Sequence, residues 1–114
     1  MASSFETAET NSGEFGRPIK VATRREHIYE AAKEMVEDMK GWVLVTADDE
    51  NRVLHCTKKG GALGGTSTIT VTVEGSAEVP STTVNCSCVT EGGLMARPKA
   101  TVEEFMKLFF RRVC

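Results

Sequence analysis

Thr66-Ser67-Thr68-Ile69-Thr70-Val71-Thr72-Val73 decides the fold. Ile69, Val71 and Val73 alternate with Thr68, Thr70 and Thr72, the period of two that marks a half-buried strand. One face of such a strand needs a core, and the other tolerates water. Downstream, residues 74–81 hold a glycine and a proline and turn the chain. Residues 82–90 then alternate again, with Val84, Cys86 and Cys88 opposite Thr83, Asn85 and Ser87. Upstream, residues 42–47 and 52–58 read as a hairpin closed by Asp48-Asp49-Glu50-Asn51. Apolar residues fall on both faces of 42–47, which predicts a central strand.

A helix lies on either side of this block. Thr23-Arg24-Arg25-Glu26 has capping-box spacing, in which the threonine hydroxyl and the glutamate carboxylate each satisfy the other residue's free amide. Ile28, Ala31, Ala32, Met35, Val36 and Met39 follow at steps of three and four. At 100° per residue they fill an arc of about 140°, one packing face. Gly41 stands where a glycine cap belongs. Residues 91–99 form a loop, and Thr101-Val102-Glu103-Glu104 has the same capping pattern at the start of the last helix. Pro18 suits the start of an edge strand over residues 19–22.

The fold class that follows is α+β. It is a two-layer β-α-β-β-β-β-α sandwich, with a mostly antiparallel sheet and two helices packed on one face. The element order resembles those of helix-grip and TATA-binding-protein-like folds; the likeness is one of topology. Residues 1–16 are polar and read as a disordered N-terminal leader, with residues 17–114 as a single α+β domain.

Composition removes several classes of function. Fourteen Lys and Arg against sixteen Asp and Glu leave a net charge of −2, which argues against a nucleic-acid binder and against attraction to anionic membranes. No apolar run approaches the ~18 residues of a membrane span, and the polar start lacks a signal peptide's apolar core. A cytoplasmic chain with four reduced cysteines is the expectation.

Candidate chemistry is sparse. His55 and Cys56 are neighbours on a strand and point to opposite faces, so they cannot form a nucleophile–base pair with each other. Cys86 and Cys88 share a face but lack zinc-knuckle spacing, and they read as small core residues. No catalytic residue, metal ligand or cofactor site is expected, and the absence of a nucleophile, dyad or metal set argues against an enzyme. Lys58, Lys59, Gly60, Gly61, Gly64 and Gly65 form a glycine-rich loop that is a candidate for weak anion contact. The loop departs from the P-loop pattern because Thr66 follows Gly65 where a lysine is required.

The last helix is the anomaly. Val102, Phe105, Met106, Leu108, Phe109, Phe110 and Val113 span about 200°, wider than one packing face requires. Leu108 and Phe110 lie at opposite rims of that arc. Phe105, Leu108, Phe109, Phe110, Met35 and Met39 are therefore the candidate ligand or partner surface, with Met95 and Met106 beside them. The first expectation is a non-catalytic interaction or assembly module, working as a homodimer or on a protein partner. The alternative is a domain that holds a small apolar ligand in a pocket between the last helix and the sheet.

Overall fold

The alternating stretch forms the middle of one antiparallel sheet. The computed structural model describes residues 2–59, 65–75, 78–92 and 97–113. Its strands are β1 (Ala2–Glu6), β2 (Ile19–Val21), β3 (Trp42–Asp48), β4 (Val53–Lys59), β5 (Thr66–Gly75) and β6 (Thr82–Glu91). Its helices are α1 (Arg25–Asp38) and α2 (Pro98–Val113), with a short 3-10 turn at Glu14–Gly16. The strand order is β1-β6-β5-β4-β3, and β2 also pairs with β6. Strands β3 to β6 form the expected meander, and every pairing is antiparallel.

The register fixes which side chains share a face. Val71 stands opposite Leu54 on one side and Cys86 on the other, while Ile69 stands opposite Cys56 and Cys88. All six are at most 1% exposed and face the helices. Val36 of α1 and Val102, Phe105, Met106 and Phe109 of α2 close the core from above, each at 0% exposure. Helix α2 lies over β6 and β1, and α1 lies over β3 and β5. The other face carries Thr68, Thr70, Thr72, Asn85 and Ser87, with His55 and Thr57 on β4.

Three expectations are corrected. First, the leader is not wholly outside the fold: Ala2–Glu6 pairs with Glu91–Ser87 of β6 and places Phe5 opposite Cys88. A single apolar residue in a polar stretch gives little signal, but the open edge of β6 supplies backbone partners. The return loop is also stapled, because the Asn11 side-chain amide donates to the carbonyls of Glu6 (3.0 Å) and Gly16 (2.7 Å). Strands β2 and β1 thus divide the β6 edge, and Thr7 bridges between them through its amide to the Cys86 carbonyl at 3.0 Å.

Second, β3 is an edge strand rather than a central one. Its outer valines, Val43 and Val45, are 59% and 60% exposed, and the register shifts between Leu44 and Thr46. Such a bulge is one way an edge is kept from templating another strand. Third, neither capping box forms. Helix α1 has Arg24 at its N-cap with no side-chain cap bond, and the Thr23 carbonyl instead accepts the Thr82 hydroxyl at 2.5 Å. Helix α2 opens at Pro98, a residue suited to the first helical position, so Thr101 lies inside the helix and its hydroxyl donates back to the Arg97 carbonyl.

Candidate functional site

The wide apolar arc of α2 resolves into three zones. Its centre, Val102, Phe105, Met106 and Phe109, is packed into the core. Phe105 stacks on Phe109 at 5.5 Å and leans on Trp42 of β3 at 6.0 Å. The space between α2 and the middle of the sheet is therefore filled by side chains, and Phe105 and Phe109 act as core rather than as an open wall. One rim, Phe110, meets the ring of Phe15 edge-on at 6.1 Å, so the 3-10 turn before β2 shields it in part. The other rim, Leu108, is 40% exposed and lines a cleft.

That cleft lies where α2, the end of α1 and the start of β3 converge. Its volume is about 570 Å³, within the range of small-molecule sites. Met35, Met39, Trp42 and Leu108 supply its apolar surface. Glu104, Leu108, Arg111 and Arg112 come from one flank of α2, because offsets of four, seven and eight residues return to the same side of a helix. At 1.5 Å per residue this flank runs about 12 Å. Asp38, Met39 and Lys40 come from the C-terminal end of α1 and the residues just beyond it.

The charges around the cleft are unevenly matched. Glu104 accepts from Lys58 at 2.9 Å and from the Trp42 indole at 3.2 Å. The Lys58 ammonium also stands 5.8 Å from the centre of the Trp42 ring. Arg112 faces Asp38 at 3.7 Å and Glu34 at 3.9 Å, linking the two helices at the far end. Among the described residues, Lys40 and Arg111 make no ion pair or side-chain hydrogen bond.

Of the six residues expected to form a ligand or partner surface, Met35, Met39 and Leu108 meet in this cleft; Phe105 and Phe109 lie in the core, and Phe110 is on the opposite side of α2. Lys40 and Arg111 carry no local signal of a site in the sequence. The α2 flank was legible as a helical face, but Trp42 and Lys40 reach the site only through the packing of α1 and β3.

The glycine loop gives a different picture. Gly60, Gly61 and Gly64 lie outside the described residues. Lys58 is engaged by Glu104 on the helix side of the sheet, which draws its charge away from the loop. Gly65 sits at φ 71°, with the Glu91 and Gly92 carbonyls where a β-carbon would project, so no other residue fits there without strain.

The thiols are similarly constrained. Cys56 and His55 do point to opposite faces, one fully buried and the other exposed. Burial pushes the Cys56 thiol up to about 11 and holds Cys86 well above the usual cysteine range, so neither is a ready thiolate. Two other depressions flank β1, of about 530 and 410 Å³, and Phe5 is the single aromatic residue in each.

No family model matches the chain, and no curated protein sequence matches it. Among solved structures it is similar to the one titled "Crystal structure of Ara h 8.0201". The two superpose with a TM-score of 0.60 over 99% of this chain and 98% of that one, at 10% sequence identity. At that identity the likeness is one of fold, an α+β sandwich with helices on one face of an antiparallel sheet. No described helix is long and apolar enough to cross a membrane.

Proposed function

We propose that this chain is a non-catalytic domain that holds a small apolar or amphipathic ligand in the cleft between α1, α2 and Trp42. The observation that carries this reading is the cleft itself. It is a concave surface with two methionines, a tryptophan and a half-exposed leucine, in a fold whose other apolar side chains are mostly packed away. Methionine suits such a wall because its flexible, polarizable side chain adapts to varied shapes. The likeness to Ara h 8.0201 speaks for the fold; the functional reading rests on the cleft.

Trp42 is the single tryptophan of the chain and lines the site, so its emission reports on occupancy. Titration with a neutral decyl glycoside, below micelle-forming concentrations, is expected to give a saturable change. Leu108→Glu, which puts a charge on the apolar wall, is expected to abolish it, while Phe110→Glu on the opposite rim leaves it intact. A titration without saturation, or equal loss in both variants, would overturn the reading.

Assembly is the second reading, and the feature that favours it is the pair of open apolar side chains, Val43 and Val45, on the edge strand β3. A dimer at low micromolar concentration that Val43→Lys dissociates would support it. A monomer by light scattering would remove it.

A further inference from the structure

We infer that the ligand of this cleft is an anionic amphiphile: an apolar chain lying along α2 and ending in a carboxylate or similar acid held at Lys40 and Arg111. The inference rests on the ligand-binding reading above and names the chemical class. The cleft has five charged lining residues, Asp38, Lys40, Glu104, Arg111 and Arg112. Both acids are already answered, Glu104 by Lys58 and Asp38 by Arg112. What is left over is cationic, because Lys40 and Arg111 lack an acidic partner among the described residues.

The chain as a whole carries a net charge of −2, so its general field repels anions. A preference for an anion must therefore arise at the cleft. The shape agrees with this chemistry. Glu104 to Arg112 spans about 12 Å along α2, and Leu108 of that flank faces Met35, Met39 and Trp42 across the cleft, an apolar floor for a chain of several methylenes. Arg111 stands one helical turn beyond Leu108 on that flank, so a chain seated against Leu108 and Met39 would bring an acidic head group towards the guanidinium. A neutral ligand would leave both cations unanswered. A cationic one would meet them as like charges.

Three probes of matched chain length separate the outcomes: decanoate, a neutral decyl glycoside and decyltrimethylammonium, each below its micelle-forming concentration. Trp42 emission is followed at low ionic strength. Decanoate is expected to bind about five-fold more tightly than the neutral probe, the size of effect that two exposed charge contacts give, and the ammonium probe more weakly than either. Added salt should reduce the preference. The double variant Lys40→Gln and Arg111→Gln should weaken decanoate until it binds no more tightly than the neutral probe, and a preference that survives it overturns the inference. Lys59→Gln, at a lysine outside the cleft, should leave the preference intact. Equal binding of the anion and the neutral probe overturns this inference and leaves the ligand-binding reading standing. Failure of all three probes overturns both.

Discussion

Replacing Phe109 with alanine asks whether the space beneath α2 is packed core or a ligand chamber. Phe109 is 0% exposed and stacks on Phe105 at 5.5 Å, under a helix that covers β6 and β1. Truncating such a ring loses its transfer free energy and leaves a cavity that the surroundings fill only in part, a cost of about 3–5 kcal/mol. A domain of this size has a total stability of roughly 5–15 kcal/mol, so the loss is a large share of it. With a urea dependence of about 2 kcal/mol per molar, the unfolding midpoint should fall by about 2 M. Leu108→Ala is the matched control, one position away on the same helix but 40% exposed and facing the cleft. It should cost about 1 kcal/mol or less, because much of its surface is already in water. Urea unfolding followed by far-ultraviolet circular dichroism measures both. If Phe109→Ala costs less than about 1 kcal/mol, or no more than Leu108→Ala, the ring borders open space and the ligand site belongs under the helix instead.

Two further predictions concern other parts of the structure. The Tyr29 hydroxyl donates to the Asp49 carboxylate at 2.6 Å, tying α1 to the β3–β4 turn. Burial first, and then the adjacent Asp49, raise its ionisation above the ordinary tyrosine value of about 10. A raised folded-state value means that the contribution of Tyr29 is complete below pH ~10 and is lost as pH climbs beyond it. Tyr29→Phe should cost about 1 kcal/mol near neutrality. In thermal melts its gap from the parent protein should narrow above pH ~10, and parallel curves would show that Tyr29 is not the group that titrates. The second prediction concerns Cys56, Cys86 and Cys88, all free thiols buried against the helices. In a Cys114→Ser background no thiol should react with an aromatic disulfide reagent while the protein is native, and all should react in denaturant. Rapid reaction of the native state would place at least one of them in a mobile or open region.

What the sequence alone determined was the pattern of periodicities. Alternation over residues 66–73 and 82–90 set the core face of each strand. One residue of slip in β5 would have exposed Ile69, Val71 and Val73 together, so the register had little freedom. The helical spacing from Ile28 to Met39 likewise set the buried stripe of α1, and the excess width of the α2 arc is legible in the residue spacing itself. Local signals determined less where a stronger contact competed. The Thr23 carbonyl went to Thr82 and the Glu26 carboxylate to Arg25 and Arg52, so the capping pattern was present in the sequence but its partners were taken.

Only the tertiary structure decided where strands end up and what converges on the cleft. The apolar residues on both faces of Trp42–Asp48 could not distinguish a central strand from an edge strand with exposed valines, because that depends on whether a neighbour pairs with it. Strand β1 depends in the same way on the free edge of β6, contributed by residues more than eighty positions along the chain. The cleft is the clearest case. Leu108 and Arg111 share a flank that helical periodicity predicts, but Trp42 comes from a strand and Lys40 from the residues after another helix. Their meeting is long-range packing, which periodicity, a property of neighbouring residues, does not encode.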